Sequence, residues 1–322
     1  MYHLNEMRDS RFLVTGGAGF IGSNIAEALV RQGCFVRVLD NLSTGRRENI
    51  EPFMGSRHFE FVEGDIRDIS TCRQACAGID YVLHQAALGS VARSVCDPVT
   101  TNEVNVSGTL NMMIASRENL VKRFVYASSS SVYGDEAHLP KREDRVGTPL
   151  SPYAVTKKVN ELYARNFFDI FGLKTIGLRY FNVFGKRQDP NSDYAAVIPI
   201  FIKNILMEKP SVIHGDGEQS RDFTYIDNVV QANLKACTAG SSACGNVVNI
   251  ACGGSISIYS LYKKICRQLG KDIACNHGPG RIGDVRHSNA DISLAAELLG
   301  YRPEVSFEKG LELTVDWYVR NI

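Results

Sequence analysis

The stretch VTGGAGFIGS, residues 14 to 23, limits the possible folds more than any other part of the sequence. An apolar, strand-like run leads directly into a glycine cluster, and a helical pattern follows it. Two spacings overlap in the cluster. Gly17, Gly19 and Gly22 fit G-x-G-x-x-G, whereas Gly16, Gly19 and Gly22 fit G-x-x-G-x-x-G. Either spacing brings backbone N–H groups and the positive end of a helix against a pyrophosphate, so the stretch predicts a dinucleotide-binding turn.

Short β-branched or aromatic runs alternate with helical patterns through the first half of the chain. The runs are RFLVTG, FVRVLD, FEFVEGD, YVLHQAA, RFVYASSSS and KTIGLRYFNVFG. This alternation predicts an α/β fold with a doubly wound, Rossmann-type parallel sheet. After about residue 183 the pattern loosens, and VVNIACGG, residues 247 to 254, again reads as a buried strand. We therefore expect an NAD-binding domain of residues 1–182 and 224–253, and a smaller mixed α/β substrate domain of residues 183–223 and 254–322.

The amino-acid composition favours a small-molecule ligand over nucleic acid or a membrane surface. The 36 Lys and Arg residues nearly balance the 35 Asp and Glu residues, so no global field favours nucleic acid or a membrane surface. The nine cysteines include no Cys-x-x-Cys, which disfavours a metal site. Cys72 and Cys76 are interpreted as small core side chains. No signal peptide or long apolar run is present, so a cytoplasmic location is expected.

Asp40 strengthens the dinucleotide prediction. It ends the second strand about twenty residues beyond the glycine turn, where a carboxylate accepts hydrogen bonds from an adenosine ribose diol. A 2′-phosphate there would meet like charge, which favours NAD over NADP. Arg46 and Arg47 are close enough in sequence to leave that preference open.

Tyr153 and Lys157 form the candidate catalytic pair. Residues four apart share a helical face, so the ammonium can lie near the phenol and favour its phenolate. The helix follows the run YASSSSVYG, whose hydroxyls should lie at the carboxyl edge of the sheet. Tyr259 and Lys263 have the same spacing without this context, and we interpret them as part of an ordinary helix.

The chain resembles the extended short-chain dehydrogenases/reductases, and within them the nucleotide-sugar epimerase branch that includes bacterial UDP-N-acetylglucosamine 4-epimerases. The resemblance extends over nearly the whole chain. It rests on TGGAGFIGS, DN at 40 and 41, GDIRD at 64 to 68, HQAA at 84 to 87, SSSSVYG, SPYAVTK, LRYFNVFG, RDFTYIDN at 221 to 228 and GDVRHSNAD at 283 to 291.

The resemblance implies a complete set of site residues. The catalytic residues would be Ser129, Tyr153 and Lys157. The cofactor-binding residues would be Gly16, Gly19, Phe20, Ile21, Gly22, Asp40, Asn41, Asp65, Ile66, Gln85, Ala86, Ala87, Tyr153 and Lys157. The substrate-binding residues would be Gly89, Ser90, Ser129, Ser130, Asn182, Arg221, Arg281, Asp284, Arg286 and Ser288.

The resemblance also implies a reaction. The Tyr153 phenolate would remove the proton of the sugar 4-hydroxyl while hydride passes from C4 to NAD; the 4-keto sugar would turn over, and hydride would return to its opposite face. Related dehydratases carry an Asp-Glu pair after the Ser129 position, where this chain has Ser130 and Ser131. UDP-glucuronate and UDP-GlcNAc uronate 4-epimerases remain an alternative, although Asn182 favours the hexosamine group over them. A non-catalytic NAD sensor is the alternative from another class.

Substrate choice is expected to depend on Ser288. Glucose/galactose-restricted relatives hold a tyrosine at the matching position, and a serine leaves room for an N-acetyl group. Gly89 and Ser90 match the same pocket wall. The resemblance therefore predicts interconversion of UDP-GlcNAc and UDP-GalNAc, without a metal. Helices near residues 100 to 118 and 153 to 170 match the family's dimer-forming pair, which predicts a homodimer.

Overall fold

A seven-stranded parallel sheet forms the centre of the protein, in strand order β11-β6-β5-β4-β1-β2-β3. A computed structural model of the chain describes residue 7 and residues 9–192, 195–280 and 286–322. The strands of this sheet are β1 (Arg11–Thr15), β2 (Phe35–Asp40), β3 (Phe59–Glu63), β4 (Tyr81–His84), β5 (Arg123–Ser129), β6 (Thr175–Tyr180) and β11 (Asn246–Ile250). All six neighbouring pairs are parallel, which confirms the predicted Rossmann-type fold.

Helices cover both faces of this sheet. Successive residues of a strand point to opposite faces, so each strand contributes apolar side chains to the helices on both sides. The helices of this half are α1 (Phe20–Arg31), α2 (Ile69–Cys76), α3 (Val91–Cys96), α4 (Pro98–Asn102), α5 (Gly108–Glu118), α6 (Pro152–Phe171) and α8 (Ile226–Thr238), with a π-helical segment Glu103–Ser107. In β1, Phe12 and Val14 join the apolar cluster that includes α1 and α8, and Leu13 joins the cluster that includes α2, α5 and α6. Cys72 and Cys76 are buried in the second cluster, as predicted for small core side chains.

Smaller sheets and four further helices make up the rest of the described chain. The helices are α7 (Val197–Leu206), α9 (Ile258–Gln268), α10 (Ser293–Leu299) and α11 (Phe307–Asn321). The short strands are β7 (Val183–Phe184), β8 (Val212–His214), β9 (Ser220–Arg221), β10 (Thr224–Tyr225), β12 (Ile256–Ser257), β13 (Asn276–Gly278) and β14 (His287–Ser288). They pair as β7 with β10, β8 with β13, and β9 with both β12 and β14.

The chain returns to the large sheet at β11, which pairs with β6 and confirms the strand predicted at residues 247 to 254. One apolar cluster runs from β1 through α8 to α11, so the two halves share a continuous core. The division into two domains stays a prediction. Among the described residues, no helix combines the length and apolarity needed to span a bilayer.

A buried asparagine ties α8 to the segment that precedes α11. The Asn228 side chain accepts hydrogen bonds from the backbone N–H groups of Glu304 at 2.9 Å and Val305 at 3.0 Å, and donates to the Val305 carbonyl at 2.8 Å. Only 1% of the Asn228 surface is exposed. These three partly buried bonds provide partners for backbone groups of that segment, which belongs to no helix or strand.

We expect Asn228→Ala to lower the free energy of unfolding by about 2 to 4 kcal/mol, because it removes three partly buried hydrogen bonds. Chemical denaturation measures this change. Asn246→Ala is the matched control, since its side chain makes an exposed bond to the Ser242 carbonyl, and it should change the free energy by less than about 0.5 kcal/mol. Equal effects of the two substitutions would contradict the importance of the Asn228 bonds.

Candidate active site

The glycine turn at the end of β1 opens directly into α1. Gly16 has a φ of +65°, a left-handed conformation that favours glycine. A β-carbon on Gly22 would lie 2.2 Å from the Gly16 carbonyl oxygen, so the first turn of α1 can approach β1 only with glycine at that position. Among the described residues no side chain caps α1, and its first N–H groups are left for a ligand. The turn therefore has the form that suits a pyrophosphate.

A groove of about 330 Å³ lies beside this turn. Its lining includes twelve of the predicted cofactor residues, Gly16, Gly19, Phe20, Ile21, Gly22, Asp40, Asn41, Asp65, Ile66, Gln85, Ala86 and Ala87. Gly89, predicted for the substrate, also lines this groove. The structure thus brings residues from the ends of β1, β2, β3 and β4 to one elongated cavity. Such a cavity at the carboxyl ends of parallel strands is where open α/β sheets bind ligands.

Asp40 lines this groove, with 7% of its surface exposed. Its two carboxylate oxygens accept backbone N–H bonds from Ala18 at 2.9 Å and Leu42 at 2.8 Å. Burial raises the pKa of Asp40, and these two hydrogen bonds oppose that rise. A carboxylate has about four acceptor sites, so two bonds leave capacity for a ribose diol.

The two arginines near Asp40 already have carboxylate partners. Arg46 forms an ion pair with Asp189 at 2.5 Å, and Arg47 lies 3.9 Å from Glu63. Their guanidinium groups are therefore engaged elsewhere, which favours a 2′-hydroxyl over a 2′-phosphate beside Asp40. In the segment after β3, a hydrogen bond from Arg67 lowers the pKa of Asp65 to about 2, and Asn41 donates to the same carboxylate.

The candidate catalytic residues meet where β5 faces the start of α6. Ser151 caps α6 by accepting the Ala154 N–H at 3.2 Å, and the backbone N–H of Tyr153 donates to the Ser94 hydroxyl at 3.0 Å. The Ser129 hydroxyl ends β5 and accepts hydrogen bonds from the N–H and the hydroxyl of Ser131. The first turn of α6 is thus fixed by polar contacts at both its cap and its backbone.

The electrostatics of the pair differ from the expectation that Lys157 acidifies Tyr153. Burial raises the pKa of Tyr153, and a hydrogen bond with Ser129 is what lowers it. The Lys157 Nζ atom donates to the Ala127 carbonyl at 2.9 Å and lies 5.8 Å from the centre of the Tyr153 ring. Burial also lowers the pKa of Lys157 to about 8, while the charge of Glu161 raises it. Desolvation therefore dominates the pKa of the phenol, and the Ser129 hydrogen bond opposes it.

The second tyrosine–lysine pair lies on an exposed face of α9. Tyr259 and Lys263 are both exposed to solvent. The charge of Lys263 is balanced by Asp272, 3.5 Å away. Identical spacing thus gives one pair inside a cleft and another on the surface, because only α6 packs against the end of a central strand.

A second cavity, of about 270 Å³, lies between the end of β6, the start of α7 and strand β9. Asn182 and Arg221, both predicted to bind substrate, line it. The Asn182 side chain donates to the Asp222 carbonyl at 3.1 Å. Within the part of the chain that is described, no side chain caps the N-terminus of α7, where Ala196 and Val197 line the cavity. Free N–H groups and a guanidinium suit a diphosphate.

The other predicted substrate residues that the structure describes are not part of the lining of this cavity. Ser288 pairs with Arg221 across β14 and β9. Arg286 forms an exposed ion pair with Asp216 at 2.7 Å. Ser90 caps α3 by accepting the Arg93 N–H at 3.2 Å. Ser130 begins the short turn that follows β5. Arg281 and Asp284 lie outside the described residues.

The tertiary structure adds lining residues that the motifs did not indicate. They are Gln188, Val197, Val212, His214, Gln219 and Phe223. Most are apolar or neutral side chains in loops and short strands, so a single sequence carries no signal that distinguishes them. Asp222 was also missed, although it is fully buried and its carboxylate accepts the N–H groups of Cys252 and Gly253 at 3.0 Å each. It fixes the segment that carries Arg221 against the end of β11.

The sheet and its glycine turn define a Rossmann-type, dinucleotide-binding protein. Residues 12–251 match the family described as NAD dependent epimerase/dehydratase family, and the chain belongs to that family. Membership confirms the predicted resemblance to this group and the predicted NAD dependence.

Three relatives illustrate which proteins this chain is similar to. A structure of UDP-N-acetylglucosamine 4-epimerase from Methanobrevibacter ruminantium M1 in complex with UDP-N-acetylmuramic acid is 40% identical, with a TM-score of 0.92 over 98% of this chain and 99% of that chain. The UDP-glucose 4-epimerase of Mycolicibacterium smegmatis is 37% identical over 96% of this chain and 98% of its own length. The UDP-glucuronate 4-epimerase of Thermodesulfobacterium geofontis is 36% identical over 97% of both chains.

We expect Gly22→Ala to weaken NAD binding at least about tenfold, because the new β-carbon displaces the Gly16 carbonyl and overpacking of this kind costs about 1 to 3 kcal/mol. The NAD content of the purified protein and calorimetric titration measure the effect. Gly55→Ala is the control, since a β-carbon there meets no described atom within 4 Å. Unchanged NAD affinity in Gly22→Ala would contradict the assignment of this turn.

Proposed function

We propose that this protein interconverts UDP-GlcNAc and UDP-GalNAc by NAD-dependent epimerisation at C4 of the sugar. The observation that supports the proposal is the order of the strands whose ends lead to the two cavities. Residues after β4 line the dinucleotide groove, β5 ends at Ser129, and Asn182 after β6 lines the second cavity. Since β4, β5 and β6 are neighbours in the sheet, a cofactor and a UDP-sugar in these cavities would meet at the end of β5.

The glycine turn, Asp40 and the residues after β3 and β4 would hold NAD, which when bound supplies reversible acceptance of a hydride. In our proposal, the Tyr153 phenolate takes the proton of the sugar 4-hydroxyl and returns a proton to the 4-oxygen at the end of the cycle. The Ser129 hydroxyl donates a hydrogen bond to the same oxygen. Burial raises the pKa of Tyr153 and the Ser129 hydrogen bond lowers it, so these steps depend on that hydrogen bond. In our proposal a charged Lys157, on the same face of α6, further stabilises the phenolate.

UDP would occupy the cavity between β6 and α7. The N-terminus of α7 and the Arg221 guanidinium supply positive charge for the diphosphate, and Phe223 supplies an apolar wall. Ser130 and Ser131 stand where related dehydratases carry an acid pair, and the Ser131 hydroxyl is engaged with Ser129. Neither serine can act as the acid that water elimination requires, which favours epimerisation.

The N-acetyl preference rests on Ser288, which pairs with Arg221 and therefore lies beside the proposed diphosphate site. A small side chain at this position leaves space for a substituent on C2 of the sugar. The relatives are named for UDP-GlcNAc, UDP-glucose and UDP-glucuronate, so the choice among these sugars is our proposal. UDP-glucuronate epimerisation is the second candidate, because a relative of that name is 36% identical to this chain.

The purified protein should be incubated separately with UDP-GlcNAc, UDP-GalNAc, UDP-glucose and UDP-glucuronate, and the C4 epimers resolved by chromatography. We expect the two N-acetylhexosamines to interconvert, and Tyr153→Phe to slow turnover about 100- to 10,000-fold because it removes the proton acceptor. Tyr259→Phe, in the exposed pair, is the matched control and should retain full activity. Bound NAD without turnover of any sugar would instead indicate a sensor.

Replacing Ser288 tests the substrate choice. We expect Ser288→Tyr to lower kcat/KM for UDP-GlcNAc about 10- to 100-fold relative to UDP-glucose, because the ring would fill the space beside C2. Ser288→Ala controls for loss of the hydroxyl and should keep the preference. Efficient turnover of UDP-glucose alone by the unmodified protein would refute the argument.

We also propose a homodimer formed through the outer face of α6 and its neighbours α3 and α4. Four aliphatic side chains there are largely exposed, Val95, Val99, Leu162 and Ile170, at 63%, 66%, 61% and 65%. Val155 and Leu162 are seven residues apart, which places them on one face of α6 opposite the buried face with Lys157. A contiguous apolar surface of this kind is typical of an interface, and a second copy would cover it.

Light scattering coupled to size exclusion measures the oligomeric state. We expect a dimer for the unmodified protein and a monomer for Leu162→Asp, because a buried unpaired carboxylate at an interface is strongly unfavourable. Val319→Asp introduces the same charge at an exposed valine on α11 and should leave the dimer intact. A monomeric unmodified protein would contradict this assignment.

A further inference from the structure

A buried carboxylate continues the helical face that carries Tyr153 and Lys157. Glu161 follows Lys157 by four residues on α6, and only 5% of its surface is exposed. Residues at this spacing lie one above the other on a helix. The proposed reaction gives Glu161 no direct role, yet a buried charge is costly to maintain.

Glu161 is held by the two strands on which α6 packs. Its carboxylate accepts the Ser128 hydroxyl at 2.6 Å and the Arg179 Nε and Nη2 groups at 2.8 and 2.9 Å. Ser128 and Arg179 are paired with each other in the register of β5 and β6. Arg179 is 3% exposed, so this bidentate pair is shielded from solvent. Glu161 therefore fixes α6 over a single rung of the central sheet.

Three consecutive residues of β5 contact the three residues of this helical face. Ser129 is hydrogen-bonded to Tyr153, the Ala127 carbonyl accepts from Lys157, and Ser128 donates to Glu161. A displacement of α6 along β5 would break all three contacts together. The contact with Glu161 is the one reinforced by an ion pair.

The surroundings make Glu161 the balancing charge for Lys157. Lys157 is 4% exposed, and the neighbouring His84 is also buried, with a pKa that burial and the Lys157 charge lower to about 3. His84 is therefore neutral and adds no charge beside Lys157. Around Glu161 lie Arg179, Lys158 at 3.5 Å and the buried Tyr126 phenol. Glu161 is the charge that opposes the loss of the Lys157 proton.

The network continues towards the substrate side. The Arg179 Nη1 group donates to the Tyr133 hydroxyl at 3.0 Å, and that hydroxyl donates to the Asn249 Oδ1 atom at 2.6 Å. The Asn249 amide then donates to the carbonyl of Asp291 at 3.0 Å. Asp291 follows Ser288 by three residues, so the buried pair is connected to the segment proposed to select the sugar.

We propose that Glu161 is a positioning residue for the reaction, which holds Tyr153 and Lys157 at the end of β5 and keeps the Lys157 ammonium charged. This inference rests on the proposed function, through the roles assigned to that pair. A different reading is that Glu161 only neutralises Arg179, since buried ion pairs are often replaceable by neutral side chains. The two readings predict different behaviour when both charges are removed.

The test compares Glu161→Gln, Arg179→Met and the double variant with the unmodified holoenzyme. We expect Glu161→Gln to lower kcat about 10- to 100-fold with a KM for UDP-GlcNAc that changes less than about 3-fold, because a misplacement near 1 Å costs about 100-fold. The basic limb of the kcat/KM profile should move to lower pH, since Lys157 loses its proton more readily. Asp169→Asn, in the exposed Arg165–Asp169 pair of the same helix, should change neither.

The double variant separates positioning from charge neutralisation. It removes both buried charges, so its thermal midpoint should recover relative to either single variant. We expect kcat to stay low and the basic limb to stay shifted. Recovery of the unmodified kcat and pH profile in the double variant would overturn the proposal.

A readout independent of turnover distinguishes failure of this inference from failure of the proposed function. NMR of ¹³Cε-labelled lysine in the NAD-bound protein, with Lys157→Met to assign the signal, follows the ionisation of Lys157. We expect the Lys157 ammonium to titrate at lower pH in both Glu161→Gln and the double variant. Unchanged titration overturns the inference, whereas absence of turnover by the unmodified protein overturns the proposed function alone.

Discussion

Parallel pairing of β4, β5 and β6 is the constraint on which the rest of the candidate site depends. The register places His84 beside Tyr126 and Ser129 beside Tyr180, so the three strands end at one edge. Residues from the turns that follow these strands then lie next to one another despite wide separation in sequence. Helix α6 is the crossover between β5 and β6, and it lies over the same edge.

Burial has opposite consequences for the two members of the candidate pair. Desolvation favours the neutral form of each group, and so it raises the pKa of the Tyr153 phenol and lowers that of the Lys157 ammonium. Reactive forms of both groups depend on a few fixed polar contacts with β5. Fixed contacts in a dry site require little reorganisation during a reaction, which is the physical basis of electrostatic preorganisation. The Glu161–Arg179 pair extends this set of contacts into the core.

Several arginines near the two cavities form ion pairs with carboxylates of the protein itself. Arg46 is paired with Asp189, Arg67 with Asp65 and Arg286 with Asp216. Among the described residues, the starts of α1 and α7 carry no side-chain cap, so their N–H groups suit the phosphates of the proposed ligands. Helix N-termini bind phosphate oxygens through fixed N–H groups and lose little conformational entropy on binding. This arrangement explains why a chain with almost no net charge can belong to a family that binds dinucleotides.

The sequence by itself determined the strand and helix order, the dinucleotide turn and the helix that carries Tyr153, because these depend on local periodicity and on glycines next to a strand. From the serine run that precedes it, the sequence also singled out the tyrosine–lysine pair that the structure places against β5 rather than on the surface. The tertiary structure alone decided that Arg46 and Arg286 are engaged in ion pairs, that Phe223 and the start of α7 line the second cavity, and that Lys157 reaches a carbonyl rather than the phenol. These outcomes depend on side-chain direction, desolvation and contacts between distant segments, none of which leaves a periodic trace in a single sequence.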